Sequence, residues 1–98
     1  MIKRIVKMTF REEEVDNFIR DVFDQSKQKI RAFPGCLHME LLRDIRQPNV
    51  LFTLSYWEEE TALNNYRNSE LFSETWVKTK VLFSDKPKAW SLEILDTI

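Results

Sequence analysis

The sequence predicts an α+β fold: a ferredoxin-like domain with the element order βαββαβ, formed by residues 1–98 together. Three observations lead to this prediction. Apolar and polar residues alternate at the start of the chain, a long helical stripe follows, and two apolar segments flank a short turn in mid-chain. The order implies one antiparallel sheet with both predicted helices on the same face.

The first third of the chain predicts a strand and a long helix. Alternation over residues 2–10 indicates the strand, with Val6 and Met8 on one of its faces. A helix of about 20 residues follows, because apolar side chains recur at spacings of three and four. Pro34 ends it, and Gly35, the only glycine, suits a turn that needs a positive φ angle. The stripe consists of Val15, Phe18, Ile19, Val22, Phe23, Ser26, Ile30 and Phe33.

The middle of the chain predicts two strands, at residues 36–45 and 50–57. Residues 46–49 form a turn short enough to make these strands antiparallel neighbours. An acidic run at 58–60 favours the N-terminus of a short helix. Residues 68–69 interrupt this helix and cap a second amphipathic segment, which ends before a last strand over 89–97.

The two faces of the predicted sheet need different covers, because both helices lie on one side. Alternation assigns Met39, Leu41, Phe52, Leu54, Tyr56, Trp90, Leu92 and Ile94 to the helix side. The other face would consist of Cys36, His38, Glu40, Leu42, Leu51, Thr53, Ser55, Trp57, Ala89, Ser91, Glu93 and Leu95. That mixed face is too apolar for water and too polar for a sealed core. We therefore expect a homodimer, a dimeric α+β barrel in which two sheets face each other.

Charge and composition exclude several classes of partner. Fifteen basic and sixteen acidic residues are interspersed and give a net charge of −1, so no nucleic-acid partner is expected. No segment approaches the roughly 20 apolar residues of a membrane span, and Lys7 interrupts the apolar start too early for a signal peptide. A lone cysteine and a lone histidine leave no metal motif, and one glycine leaves no nucleotide-binding loop. We expect a cytoplasmic protein without a metal or cofactor.

Aromatic residues are plentiful: three tryptophans, two tyrosines and seven phenylalanines. Placed between sheet and helices, such rings could line an apolar pocket for a polycyclic or quinone-like molecule, with Tyr66 and Trp76 in contact with it. Phe18, Phe52 and Phe72 are expected to shape the walls of that pocket. The alternative interpretation assigns the same rings to a closed core.

His38 and Cys36 are the remaining candidates for chemistry. Glu40 lies two residues after His38, on the same face of a strand, and could orient it as a general base. The alternative is a structural histidine satisfied by its neighbour. Cys36 is interpreted as a small buried hydrophobic residue, because nothing adjacent in sequence favours a thiolate.

Four motifs carry a resemblance to a known family: Phe-Pro-Gly-Cys at 33–36, Glu-Leu-Leu-Arg-Asp at 40–44, Trp-Glu at 57–58 and Asn-Ser-Glu-Leu-Phe at 68–72. Over nearly its whole length the chain resembles the antibiotic biosynthesis monooxygenases, which are small dimeric α+β-barrel proteins. The resemblance implies a cofactor-independent monooxygenase, free of metal and flavin, that oxidises an aromatic or quinol-type molecule. The alternative is a non-catalytic dimeric module that binds a hydrophobic small molecule or acts in a stress response.

The resemblance also implies roles for individual residues. Trp57 matches the tryptophan that ends the third strand of the family's quinone-forming oxygenases, whereas Thr53 stands where those enzymes have an asparagine. Trp57 and Thr53 would orient the substrate, and Tyr66 or His38 would assist proton removal. Trp76 of this chain stands where the haem-degrading branch of the family has its proximal histidine, so haem degradation is not expected.

Overall fold

The computed structural model describes all 98 residues and contains one four-stranded antiparallel sheet. Its strands are β1 (Ile2–Thr9), β2 (Cys36–Arg43), β3 (Val50–Trp57) and β4 (Lys88–Glu93), in the spatial order β2-β3-β1-β4. The second and last strands end earlier than the alternation predicted. Three helices pack on one face, and the predicted ferredoxin-like α+β fold is confirmed.

The helical layer consists of α1 (residues 12–31), α2 (Glu60–Arg67) and α3 (Glu70–Lys80). The long predicted helix α1 is continuous but irregular, because Phe18–Phe23 forms a π-helical stretch between α-helical segments. Such stretches are rare and concentrate at functional sites. No helix has the length and apolar character that a membrane crossing requires.

Gly35 makes the turn between α1 and β2 possible. Its φ angle is 87°, in the left-handed region that costs other residues conformational energy, as the sequence predicted. A Cβ atom at this position would also collide with the Cβ of Ala62 on α2. The turn therefore packs directly under α2 and holds that helix against the end of the sheet.

The faces of β3 and β4 are the reverse of those predicted. Leu51, Ser55 and Trp57 face the helices, and their exposed fractions are only 1%, 6% and 1%. Phe52 and Leu54 alternate with them and therefore lie on the opposite side, which we call the outer face. The prediction was wrong because β3 is apolar at almost every position, so alternation alone does not choose a side. The outer face carries Lys3, Ile5, Lys7, His38, Glu40, Leu42, Phe52, Leu54, Tyr56, Lys88, Trp90 and Leu92.

A β-bulge near the start of β2 separates Cys36 from His38. Cys36 pairs with Trp57 and His38 pairs with Tyr56, so the register shifts by one residue between them. The extra residue, Leu37, turns the strand over at this point. Cys36 therefore faces the helices while His38 lies on the outer face, although simple alternation places both on one side.

Two buried clusters hold the helices on the sheet. The larger joins β1 and β3 to α1, and the smaller joins the start of β2 and the end of β3 to α2. Their members are Met8, Phe10, Val15, Phe18, Val22 and Leu51 in the first, and Cys36, Trp57 and Leu63 in the second. The helix-side face between the two clusters is not filled by core side chains.

Candidate functional site

A cavity of about 480 Å³ lies between sheet and helices, bordered by both buried clusters. Small-molecule sites usually have volumes of about 300–1,000 Å³, so this space suits a ligand of a few rings. Strands β1 and β3 form its floor, and the three helices contribute its walls. The lining side chains that are candidates for binding or chemistry include Arg4, Thr53, Trp57, Tyr66, Arg67 and Trp76.

A row of aromatic rings runs along one wall of the cavity. Tyr66 stacks on Trp57 with ring centroids 5.0 Å apart, and the edge of Phe72 meets Tyr66 at 5.3 Å. Phe72 in turn stacks on Trp76 at 5.8 Å, with only 10° between the ring planes. Because α2 and α3 carry three of these rings, the short break between the helices sets the spacing of the row. The row presents flat apolar surfaces to the cavity.

Trp57 is a structural part of this wall. Its side chain is almost completely buried, and its indole Nε1–H donates to the Oγ of Ser55 at 2.9 Å. The N–H group is therefore satisfied within the protein. The indole N–H is not free for a ligand, and the Trp57 ring supports the position of Tyr66 by stacking on it.

Tyr66 is the most perturbed acid in the cavity. Burial, with a smaller contribution from the neighbouring Cys36 thiol, raises its pKa to about 12. No protein group accepts a hydrogen bond from its hydroxyl, yet no buried side-chain polar atom lacks a partner, so the hydroxyl is open to the cavity. At neutral pH Tyr66 is therefore a protonated phenol with a free hydrogen to donate.

Thr53 lies on the floor of the cavity, beside Val6 of β1. Its hydroxyl makes no hydrogen bond within the protein, in contrast to those of Ser26 and Thr79, which bond to backbone carbonyls of their own helices. Thr53 and Tyr66 thus provide two free hydroxyl groups in one apolar cavity. A ligand oxygen placed near them would find the few polar contacts that fix its orientation.

The family model for antibiotic biosynthesis monooxygenases matches residues 1–76 of the sequence, from the first strand through most of α3. The chain belongs to this family. No protein of curated function matches it.

Several solved structures share this fold. One described as an antibiotic biosynthesis monooxygenase superposes with a TM-score of 0.88 at 19% identity, covering 98% of this chain and 100% of that one. A conserved protein from Methanosarcina mazei gives 0.88 at 18% identity, with 93% and 89% covered. Rv0793 from Mycobacterium tuberculosis gives 0.87 at 19% identity, with 98% and 96% covered. Identities this low establish the common fold alone.

Most of the site residues predicted for this family member meet in the cavity. Phe18, Phe72 and Trp76 line it, together with Thr53, Trp57 and Tyr66. Phe52 does not, since it lies on the outer face beside Lys7 and Leu42. Phe52 is therefore corrected from a wall of the pocket to a component of the opposite surface.

His38 is also separated from the cavity by the thickness of the sheet. Its Nε2 lies 2.8 Å from Oε1 of Glu40, and its ring centroid is 4.8 Å from that of Tyr56. The expected partnership with Glu40 is present, but on the outer face. This is the face that alternation assigned to His38, away from the helices. The expected role of His38 in proton removal is therefore corrected, and its contacts agree with a histidine held by its neighbour.

Cys36 is a free, buried thiol in the smaller buried cluster, with Trp57 and Leu63. Burial raises its pKa, and its Sγ lies 3.7 Å from the carbonyl oxygen of His38. These features agree with its interpretation as a small buried hydrophobic residue. Nowhere in the molecule do three His, Cys, Asp or Glu side chains converge in a way that could hold a metal ion.

Sequence interpretation overlooked Arg4 and Arg67. Arg4 shares the helix-side face of β1 with Val6 and Met8, so the alternation that identified those residues also places it in the cavity. Its Nη1 donates to the Oγ of Ser91 at 2.9 Å. Partial burial, together with the like charge of Arg67, lowers the pKa of Arg4.

Proposed function

We propose that this protein is a cofactor-independent monooxygenase that oxidises an aromatic or quinol-type molecule bound in the cavity. The observation that carries the proposal is the row of rings beside the free hydroxyl groups of Thr53 and Tyr66. Flat rings favour a flat apolar ligand, and the hydroxyls orient it. Family membership supports the reaction class. The proposed location is the cytoplasm, where the thiol of Cys36 stays reduced.

Tyr66 acts in this proposal as a hydrogen-bond donor. Because its pKa is raised to about 12, it holds its proton at neutral pH and is a poor base. A hydrogen bond to an oxygen anion is stronger than one to a neutral oxygen, so Tyr66 stabilises the ionised form of a phenol or enol. The role predicted for Tyr66 in proton removal thus becomes stabilisation of the anion that remains. Thr53 supplies a second donor from the floor.

The oxidation of an anthrone balances without an added reductant. The CH₂ group of the central ring loses both hydrogens, one atom of O₂ enters the new carbonyl group, and the other leaves as water. Ionisation of the substrate to its enolate makes transfer of an electron to O₂ easier. The protein's part is therefore to bind the ring system, exclude water and stabilise the enolate oxygen.

We further propose a homodimer in which the outer faces of two copies meet. Leu42, Trp90 and Leu92 on this face are 42%, 43% and 46% exposed, and no element of the chain covers them. Burial of such side chains against a second copy would remove a contiguous apolar patch from water. Light scattering at micromolar concentration should give twice the protomer mass of 11.8 kDa. A mass of one protomer would contradict the dimer.

Oxygen uptake by chelator-treated protein with an anthrone tests the reaction. We expect one O₂ consumed per anthrone, at a rate well above that of buffer. Tyr66→Phe removes the proposed donor and should slow turnover about tenfold or more, since a hydrogen bond to a charged group contributes about 1.5–3 kcal/mol. Tyr56→Phe removes the same atom on the outer face and should stay within about twofold of wild type. A wild-type rate equal to that of buffer would contradict catalysis of this substrate class.

Ligand binding without turnover is the second candidate function. One observation favours it: no carboxylate or imidazole lines the cavity, and His38 lies across the sheet. In that case an anthraquinone should raise the melting temperature while an anthrone is consumed no faster than in buffer. If the thermal shift is lost in Tyr66→Phe but retained in Tyr56→Phe, the bound molecule lies in the cavity.

A further inference from the structure

We infer that the molecule bound in the cavity is an aromatic acid, with a flat apolar body along the ring row and a carboxylate held by Arg4 and Arg67. The inference rests on the proposed function for the reaction, and it adds the class of substrate. Its support is the charge distribution around the cavity, which is independent of any oxygen chemistry.

Every charged side chain that lines the cavity is a cation. Arg4 and Arg67 line it and no aspartate or glutamate does, whereas Lys88 borders it from a position on the outer face. The whole chain has sixteen acidic and fifteen basic residues, so the absence of acidic side chains around the cavity does not follow from composition. Cations grouped around a cleft with apolar walls create a positive potential that concentrates anions. A neutral polyaromatic ligand would gain nothing from this arrangement.

Arg4 provides the strongest single observation. It is half-buried on the helix-side face, between Ser55 and Ser91 of the neighbouring strands, and it forms no ion pair. Its one protein partner is the neutral hydroxyl of Ser91, although a guanidinium has five N–H donors. The charged group that acts on it is Arg67, which has the same sign. A partly buried charge without a counter-charge is costly, and a bound carboxylate would remove that cost.

Both arginines adjoin the ring row. Arg67 follows Tyr66 directly at the end of α2, and Arg4 is the cross-strand neighbour of Ser55, which accepts the Trp57 hydrogen bond. A ligand whose rings lie along the row therefore has one end beside the two guanidinium groups. Guanidinium presents a planar fork that matches the two oxygens of a carboxylate, so a carboxylate attached to a ring system suits this geometry.

The test compares two probes of the same shape: 2-anthracenecarboxylate and the neutral 2-anthracenecarboxamide. Titration calorimetry of the wild type should show the acid bound about tenfold or more tightly than the amide. The Arg4→Met, Arg67→Met double variant should bind both probes equally, because the groups that favour the acid have been removed. Arg4→Lys should keep part of the preference, because the charge remains while the fork is lost. Lys29→Met, an exposed cation without an ion pair, is the matched control and should keep all of it.

Equal affinity of the wild type for acid and amide would overturn the inference, as would a preference that survives in the double variant. The urea midpoint of the ligand-free double variant should be unchanged or higher, because an unpaired guanidinium has been removed. A lower midpoint together with lost amide binding would show that the arginines are structural, and would also overturn it. Oxygen uptake tests the proposed reaction separately. A preference for the acid without turnover would contradict only the proposed reaction. Anthrone turnover without a preference for the acid would contradict only this inference.

Discussion

The two faces of the sheet differ in where their polar side chains find partners. On the outer face, His38 bonds to Glu40, and the Nζ of Lys3 lies 4.9 Å above the ring of Tyr56. On the helix side, the hydroxyls of Thr53 and Tyr66 have no protein partner. No buried side-chain polar atom lacks a partner, so these hydroxyls are open to the cavity, where a ligand oxygen could bond to them. Paired groups among exposed apolar side chains indicate a surface built for association.

Strand β3 contributes to both faces, and its register decides which residue serves which role. Thr53 and Trp57 line the cavity, while Leu54 and Tyr56 lie on the outer face. Each residue of one pair lies next to a residue of the other pair in the sequence. A shift of one residue in pairing would exchange the two sets, so the function of each side chain depends on register more than on residue type.

The largest expected effect comes from a charge placed on either side of β3. Leu51→Asp should unfold the protomer, because Leu51 is only 1% exposed and an uncompensated buried charge costs about 3–5 kcal/mol in addition to the lost packing. Leu54→Asp carries the same change on the outer face, opposite Glu40 on β2. It should leave the protomer folded and prevent association. Circular dichroism and light scattering measure the two outcomes.

The comparison fails if both variants behave alike. A folded Leu51→Asp protomer would mean that the helix-side face tolerates water. An unfolded Leu54→Asp chain, at concentrations where wild type is folded, would mean that the outer face supports the fold of the single protomer.

The next largest effect distinguishes two tryptophans. Trp57→Ala should destabilise the protomer by about 3–5 kcal/mol, because it empties a fully buried position and leaves the Ser55 hydroxyl without its donor. Trp90, on the outer face, is 43% exposed. Trp90→Ala should change the urea midpoint of the dilute protomer little and raise the dimer dissociation constant instead. Similar midpoints for the two variants would contradict the assignment of faces.

The element order could be predicted from the sequence, because each element has its own local signal. The stripe of α1, the Pro34-Gly35 stop and the Ser69 cap all appear as expected, and the Ser69 hydroxyl accepts from the Phe72 N–H at 3.1 Å. The π-helical stretch Phe18–Phe23 could not be predicted, since nothing in its composition differs from α-helix. Its position beside the cavity is a tertiary effect.

The candidate site could be predicted only in part. Phe72 and Trp76 followed from helical spacing, which specifies a face without reference to distant residues, and Tyr66 followed from its aromatic ring. Phe52 and Cys36 were assigned to the wrong faces, because strand register and the bulge at Leu37 depend on pairing with other strands. Arg4 was overlooked for a different reason: one of three basic residues in β1, it resembles an ordinary surface residue until its neighbours are known.

A smaller effect is expected from the ionisation of Tyr66. Its pKa of about 12 in the folded protein lies above the value of about 10 in an unfolded chain, so the folded state holds this proton more tightly. The resulting stabilisation is complete below pH 10 and is lost as the pH rises through 12. By pH 11 the loss should be about 1 kcal/mol. Between pH 8 and pH 11, the urea midpoint should therefore fall less in Tyr66→Phe than in wild type. An equal fall in both would show that burial does not protect this phenol.

The smallest expected effect is that of His38→Ala on the cavity. The His38–Glu40 pair is exposed, with 39% and 43% of the two side chains accessible, and such pairs contribute about 0–1 kcal/mol. Because the sheet lies between this pair and the ring row, anthrone turnover and probe affinity should stay within about twofold of wild type. Glu40→Ala should behave in the same way, since it removes the other half of the pair. A tenfold loss of turnover in His38→Ala, in a protein that is still dimeric, would mean that the imidazole reaches the reacting molecule. The division between a binding face and an association face would then be wrong, and the outer face would have to be considered part of the site.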